Sequence, residues 1–426
     1  MIKILPIACY KLLIGCLVSS PVWSQAQTLG ALVLDALATH PSTQSQRAQV
    51  ASAMAGVDSA RWQFYPTPSV SLENAATRSS DALYKGDKRV TTLRLQQPLY
   101  TGGRLGAGAD KAQASLEQNQ AALEETRMQL ALRVLQSYGD WLAAYLKTQA
   151  SQKSAQTHAR LRDQVQRRIA EGVSAESDLV LALARLDAIQ ADVMAARAQG
   201  EMALARLGQL LGRPVAEATL ASTLALPRPV QAQSTGLLNQ ALELSAAVQR
   251  AQSQVRVQEA TVAERQADLL PEVYVRAERQ YGNFNFANGA PENRLFVGVS
   301  SRLGAGLSGL SNVAAARGQL EAAAAEVQVQ TRAIYEQVLA DHALAVSSER
   351  RLASVQASLR SAQSVSESYD RQFLAGRKTW LDVMNAAREL AQTESLIADL
   401  LSTQVVASWR LGFYTRGIEA TTQGVP

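Results

Sequence analysis

The chain has 426 residues, of which 47% are hydrophobic but only 5% aromatic, and its formal net charge at pH 7 is +5. An abundance of Ala, Leu, Gln, Arg and Glu with few aromatic residues is typical of long helices packed through small side chains, and it argues against a compact enzyme core. The positive charge is too weak and too dispersed to favour nucleic acid as a partner.

Residues 1–26 are predicted to form a secretory signal peptide. Two lysines and an apolar run at residues 12–18 precede a small-residue cleavage site at Ser24-Gln25-Ala26. The run is shorter than the ~20 residues that span a bilayer. Residues 13–16 also match a lipoprotein cleavage site that would acylate Cys16, so this second route stays open. We favour cleavage after Ala26, which removes both cysteines and leaves no disulfide.

The remaining chain repeats itself at an offset of 204 or 205 residues. The matching pairs include Ala36-Leu37 with Ala241-Leu242, Gly172 with Gly376, Asp178 with Asp382, and Arg206-Leu207-Gly208 with Arg410-Leu411-Gly412. A nearly constant offset over about 180 residues predicts one duplicated unit. We place the first unit at residues 27–211, a proline-containing connector at 212–235, the second unit at 236–416 and a loose polar tail at 417–426.

Each unit is predicted to begin with a helix and to continue with two strands. The strands are expected at residues 68–78, 89–99, 272–282 and 293–303, where apolar and polar residues alternate with a period of two. Segments of about ten residues cross an outer membrane when tilted. Because four strands cannot close a barrel and open sheet edges cannot lie in lipid, three chains with twelve strands are expected.

The alternation also predicts what each face of these strands contacts. Val273, Val275, Val297 and Val299 are expected to face lipid, whereas Arg276 and Glu278 are expected to face the lumen of a barrel.

A pair of long helices is predicted after each pair of strands. No proline interrupts residues 99–213 or 292–425, and proline breaks helices. Leucines at positions 116, 123 and 130 have the seven-residue spacing of a coiled-coil seam. The helices are expected at Arg104–Ala170, Glu176–Leu211, Leu307–Leu374 and Thr379–Leu411. The longer ones would measure roughly 100 Å at ~1.5 Å per residue.

The turn between the two helices of each pair has its own predicted residues. The helix-tip residues are Gly172 and Ser174 in the first unit and Gly376 and Thr379 in the second. The glycines are expected to end one helix in the left-handed conformation, and Ser174 and Thr379 to cap the next helix. Asp382 follows Thr379 by three residues, as in a capping box. Asp178 and Asp382 are thus explained as acids favoured at helix starts.

Motifs of catalysis and of metal binding are missing from the sequence. The three histidines share no ligand spacing, and no CxxC, HExxH or GxSxG occurs. Gly304–Gly309 matches a dinucleotide-binding pattern, but a long predicted helix follows it and no second strand is in reach. Glycines at a bend are the favoured interpretation. We therefore predict a protein that is not an enzyme and that binds neither a cofactor nor a metal.

With these features the chain resembles the TolC family of trimeric outer-membrane channel proteins. The resemblance rests on the duplicated helix-strand-strand-helix plan, on the strand-to-helix junction at residues 97–103, and on tip motifs at 168–179 and 371–383. It implies a mainly α-helical fold with a β-barrel part. Three chains would form a twelve-stranded barrel in the outer membrane of a Gram-negative bacterium, with a long helical tunnel in the periplasm.

The resemblance also implies a function and partners. Such a channel is the exit of a tripartite export system, in type I protein secretion or in multidrug efflux. It works with a periplasmic adaptor (a membrane fusion protein) and an inner-membrane pump of the ABC or RND type. With plain cleavage at Ala26, and so no firm lipid anchor, protein secretion is slightly favoured. The alternative is a soluble periplasmic coiled-coil scaffold or adaptor, which would explain the long helices but not four amphipathic strands.

For the tip residues the resemblance implies a gate at the periplasmic entrance. The family residue at Asp382 points inward, so that three chains make a carboxylate ring, and a second acid follows where this chain has Asn385. The family links the acid at Asp178 to a basic residue at Lys378 and has a tyrosine at Phe373. Lysine lacks the forked geometry of arginine, and phenylalanine lacks a hydroxyl. The closing contacts are therefore expected to be fewer here.

Four arginines crowd the first tip and have two interpretations. They are Arg160, Arg162, Arg167 and Arg168. They form either a solvated helix face, which is the commoner case, or a surface on which the adaptor docks.

Overall fold

A computed structural model of the chain describes residues 27–76, 85–220, 234–287, 289–301 and 308–423. The predicted signal peptide, most of the glycine-rich pattern near residue 304, much of the connector and the far ends of two predicted strands lie outside these residues. The helices are α1 Leu29–Thr39, α2 Pro41–Trp62, α3 Arg104–Ala170, α4 Glu176–Leu211, α5 Ser234–Leu244, α6 Ala246–Ala267, α7 Ser308–Leu374, α8 Trp380–Arg416 and α9 Ile418–Gln423. The strands are β1 Thr67–Asn74, β2 Arg89–Tyr100, β3 Glu272–Tyr281 and β4 Glu292–Ser300.

The four long helices lie where proline is absent from the sequence. α3 and α4 have the predicted bounds, and α7 differs by one residue at its start. α8 continues to Arg416, beyond the predicted end at Leu411. The helix continues because Phe413 is fully buried in the core, and it stops before Gly417, whose φ is 85°.

The single helix predicted before each strand pair is in fact two helices. α1 and α2 meet at His40-Pro41, because proline can begin a helix but lacks the N–H that would continue one. The Nδ1 atom of His40 accepts a hydrogen bond from the backbone N–H of Ser42 at 3.1 Å. In the second unit Ser245 separates α5 from α6, and its hydroxyl accepts from the N–H of Val248 at 3.3 Å.

The strands form one antiparallel sheet in the order β1-β2-β3-β4. Residues directly opposite one another share a face. Val273 lies opposite Val299, and Val275 lies opposite Val297. Arg276, on the other face, lies opposite Phe296. The register therefore gives the sheet one apolar and one polar face.

The long helices are arranged as two antiparallel hairpins, α3–α4 and α7–α8, which lie side by side because α3 also packs against α8. Two ion pairs join α3 to α8, Lys153 Nζ to Glu394 Oε1 at 2.6 Å and Lys147 Nζ to Asp399 Oδ1 at 2.7 Å. The main core includes Trp141 and lies where α1, α3, α4 and the end of α8 meet. None of the helices among the described residues is both long enough and apolar enough to span a membrane.

The tail is not loose over its described residues, so that expectation was wrong. Residues 418–423 form α9, which packs against α8 and α1. Ile418 and Thr421 are buried. The close contact depends on Gly412, because a Cβ atom there would lie 2.8 Å from Cγ2 of Thr421.

Candidate functional site

The two helix turns at residues 171–175 and 375–379 have the same backbone structure. In the first, the N–H of Gly172 donates to the carbonyl of Ile169 at 2.9 Å, and the N–H of Val173 donates to the carbonyl of Arg168 at 2.9 Å. These two bonds define the Schellman ending of a helix. The equivalent pair of bonds occurs at Gly376. The φ angles of the two glycines are 76° and 71°, which is the left-handed conformation predicted for them.

The helix starts after the two turns differ. Thr379 caps α8, because its hydroxyl accepts from the N–H of Asp382 at 3.2 Å while the Asp382 carboxylate accepts from the N–H of Thr379 at 3.1 Å. The predicted capping box is therefore present. The predicted cap at Ser174 is wrong: Ala175 occupies the N-cap of α4 and has no side-chain acceptor. The hydroxyl of Ser174 lies one residue too early to reach the free N–H groups.

Asp382 is held in one position at the start of α8. Hydrogen bonds from the hydroxyl and the N–H of Thr379 lower the pKa of its carboxyl group, and the charge of Lys378 lowers it further. Oδ2 of Asp382 lies 3.9 Å from Nζ of Lys378. The amide of Asn385, one turn further along α8, accepts from Arg388 at 3.3 Å. Asp382 is therefore ionised at neutral pH, and its carboxylate is held in place by Thr379.

Asp178 lies in the first turn of α4, where the helix dipole favours an acid. Its backbone N–H donates to the carbonyl of Ala175 at 3.1 Å. Lys378 is not its partner within one chain: besides Asp382, the ammonium of Lys378 contacts the ring of Tyr369, at 4.3 Å from its centre. The link between Asp178 and Lys378 that the resemblance implies stays a prediction for the assembled channel.

Phe373 is buried in a small core at the tips. Its ring lies 5.5 Å from that of Trp380, and both residues are about 5% exposed or less. The guanidinium of Arg168 lies 4.6 Å from the centre of the Phe373 ring, and Nη1 of Arg168 donates to the carbonyl of Phe373 at 3.1 Å. These contacts join the end of α3 to the end of α7 without a side-chain hydroxyl on residue 373.

The sequence placed Arg168 at the first tip but did not predict its contact with Phe373. Of the four crowded arginines, Arg162 pairs with its neighbour Asp163, and Arg160 lies 3.6 Å from Asp370 of α7. Arg168 alone stacks on an aromatic ring. The available signal was the cluster of aromatic residues at 369, 373 and 380 in a chain with so few of them. No group of three potential metal ligands occurs among the described residues.

Comparisons with known proteins identify the family to which these duplicated hairpins belong. Residues 32–213 and 237–415 match the outer membrane efflux protein family. The chain belongs to this family. The two matched segments overlap the two predicted units, 27–211 and 236–416, and leave out most of the predicted connector.

Three similar proteins support this assignment. Outer membrane protein TolC of Vibrio cholerae is 24% identical over 383 residues, which are 87% of this chain and 86% of that protein. Alkaline protease secretion protein AprF of Pseudomonas aeruginosa is 25% identical over 77% of this chain and 69% of its own length. The crystal structure of outer membrane protein VceC from Vibrio cholerae superposes with a TM-score of 0.78 at 16% identity, covering 91% of this chain and 96% of that one.

Family membership fixes the class of function and the location. The protein is an outer-membrane exit channel that extends into the periplasm, and it is not an enzyme. Channels of the TolC family work with adaptors and inner-membrane pumps in export systems. The soluble scaffold considered as an alternative is thereby excluded.

Proposed function

We propose that the protein acts as a homotrimer in which three sheets close one twelve-stranded barrel. The supporting observation is the sheet itself. β1 and β4 are its edge strands, and each has a neighbour on one side only among the described residues. Open edges do not occur in lipid. Valines 297 and 299 on the apolar face are 73% and 69% exposed in the single chain, as expected for side chains that contact lipid.

Crosslinking in isolated outer membranes tests this assembly. The expected product is a trimer that dissociates on heating. Arginine in place of Val275, near the middle of the apolar face, should cost roughly 2–4 kcal/mol of stability, and arginine in place of Gln96 on the polar face should cost less. A dominant dimer, or equal tolerance on both faces, would contradict the proposed barrel.

We further propose that Asp178, Lys378 and Asp382 form the gate at the periplasmic entrance. The observation that carries this is the fixed, ionised carboxylate of Asp382, which is held by Thr379 at the start of α8 and remains partly exposed. Three such carboxylates around a narrow axis would favour cations and bind multivalent ones. Because position 385 is Asn and not a second acid, the ring would have one acid per chain.

Conductance in planar bilayers tests the ring. Asp382→Asn keeps an acceptor for Thr379 and removes only the charge, so the trimer should persist while cation selectivity and block by trivalent cations fall. Asp58→Asn on α2 removes the same charge away from the tips and should change neither property. Lys378→Ala tests the link to Asp178 and should raise the resting conductance. Unchanged selectivity in an intact Asp382→Asn trimer would mean that Asp382 only caps α8.

The proposed partners are outer-membrane lipid, a periplasmic adaptor and an inner-membrane pump of the ABC or RND type. The tips are the end of the tunnel that lies furthest from the sheet, so they are where an adaptor would dock. We favour type I protein secretion, because AprF is named as a protease secretion protein and is similar over most of the chain. Purification of the protein from crosslinked cells, followed by identification of the bound pump, would separate secretion from efflux.

A further inference from the structure

Arginines on the two faces of the sheet differ in their partners. On the polar face, Arg94 and Arg276 both pair with Glu278, at 2.7 and 3.0 Å, and Arg294 pairs with Glu292. Each of these three arginines thus has a carboxylate partner within the chain.

Arg89 and Arg279 lie on the apolar face and have no carboxylate partner among the described residues. Both are exposed. The register places Arg279 opposite Leu93 on β2 and opposite Asn293 on β4, and Arg89 opposite Asn74 on β1. The ring of Tyr281 lies 5.2 Å from the Arg279 guanidinium. None of these neighbours can neutralise an arginine.

A neighbouring copy of the chain cannot supply the missing charge. Arg89 is on β2 and Arg279 is on β3, which are the two inner strands of the sheet. Their lateral neighbours on this face therefore come from the same chain in any assembly that joins sheets edge to edge. What covers Arg279 must approach from outside the sheet.

The two arginines lie at the loop end of the sheet, away from the helices. Arg279 is ~20 Å along β3 from Val273, and α3 begins at the opposite end, just after β2. In the proposed membrane assembly, on which this inference rests, the loop end lies in the outer leaflet. An arginine facing lipid is tolerated best at the interface, where head groups can accept its hydrogen bonds.

A shallow apolar cleft of about 650 Å³ crosses the sheet beside Arg279. Its apolar lining includes Val70, Leu93, Leu95 and Leu295. Arg279 and Asn293 line its loop side, and the polar-face residues Arg94, Glu278 and Arg294 also border it. The cleft thus combines an apolar surface suited to an acyl chain with a cationic end suited to an anionic group.

We propose that Arg279 and Arg89 bind the phosphate groups of an anionic lipid of the outer leaflet, and that an acyl chain of the same lipid lies in the cleft. A guanidinium offers two parallel N–H donors that match phosphate oxygens. Tyr281 has the position of an interfacial aromatic residue, with its ring at the level of the head groups. Asn293 and Asn74 add neutral donors on the same face.

Binding of a defined lipid to the purified protein tests this proposal. Native mass spectrometry would count molecules of diphosphorylated lipid A, and of its dephosphorylated form, bound to the intact assembly. The phosphorylated form should bind at least tenfold more tightly. Arg279→Gln and Arg89→Gln should each weaken it about fivefold, the contribution of one basic residue near an anionic membrane surface. Arg276→Gln is the control, because it removes the same charge from the polar face at a residue that does not line the cleft, and it should leave binding unchanged.

Three outcomes would overturn the proposal: equal binding of the two lipid forms, equal loss in the Arg276→Gln control, or displacement of the lipid by millimolar inorganic phosphate, which would indicate a site for free phosphate. Membrane fractionation and heat-dependent gel migration are run on every variant. If the wild-type protein forms trimers in the membrane but binds both lipid forms equally, only the lipid site is refuted. A protein that forms no trimer refutes the proposed barrel instead.

Discussion

The turn between α3 and α4 and the turn between α7 and α8 each end a helix of 67 residues with a left-handed glycine. Beyond the turn the two tips diverge. Phe373 and Trp380 are buried at the second tip, whereas the equivalent residues of the first are the partly exposed Ile169 and the exposed Glu176. The second tip also has a capped helix start. The duplicated backbone is therefore retained, while the buried aromatic rings and the capping carboxylate belong to the second copy.

The largest effect is expected from removing the buried ring at the second tip. Phe373→Ala should destabilise the tips by about 3–4 kcal/mol, because it leaves a cavity beside Trp380 and Arg168. Ile169→Ala, its equivalent in the first tip, should cost roughly 1 kcal/mol because that side chain is partly exposed. Hydrogen exchange of the amides in both turns would measure the two effects. Similar losses would mean that the tips do not differ in packing.

Substitution of the glycines should affect both tips equally. Gly172→Ala and Gly376→Ala should each cost about 1–2 kcal/mol, because an L-residue is strained at these positive φ angles. Gly318→Ala, eleven residues into α7, is the control. Nothing lies within 4 Å of a Cβ atom there, so it should stabilise the helix by ~1 kcal/mol. Thermal unfolding would rank the stabilities of the three variants. A loss of stability at only one of the two turns would contradict their shared backbone structure.

Adding a capping hydroxyl to α4 and removing the one on α8 should reverse the difference in stability between the starts of these two helices. Ala175→Thr would place a hydroxyl three residues before Asp178, which recreates the arrangement of Thr379 and Asp382 and should stabilise α4 by about 1 kcal/mol. Thr379→Ala should destabilise α8 by a similar amount. Ser174→Ala should have no effect, because Ser174 is not the cap. Amide exchange in the first turns of α4 and α8 would report these changes.

The smallest expected effect is a pH dependence that arises from one buried histidine of the first hairpin. His158 is buried on α3, and its equivalent on α7 is Ala362. Burial lowers the pKa of His158, and the charge of Arg185 lowers it further. The unfolded chain therefore binds more protons, so the stability due to neutral His158 is present above pH 6.5 and is lost as the pH falls. Wild-type melting should shift more between pH 7.5 and 5 than that of His158→Gln. An unchanged shift would assign the acid sensitivity to other groups.

The repeat and the long helices could be predicted because they depend on local signals. Proline-free stretches and the left-handed glycines fix the ends of α3 and α4. The docking of α9 could not be predicted, because it depends on the space beside Gly412, which only the tertiary structure reveals. The stacking of Arg168 on Phe373 joins residues 205 positions apart. The local spacing in the sequence does not distinguish Arg168 from the other three arginines of the first tip.

The tips lie far from the main core, so a small rotation of a hairpin at the core displaces its tip by several ångströms. From Trp141, which is 1% exposed in that core, α3 continues ~45 Å to its end at Ala170. A rotation of about 5° at the core would displace the tip by ~4 Å at this length. The ion pairs Lys147–Asp399 and Lys153–Glu394 join the hairpins between that pivot and the tips. Because salt screens partly exposed charges, the bending stiffness of this part of the tunnel depends on the ionic strength of the periplasm.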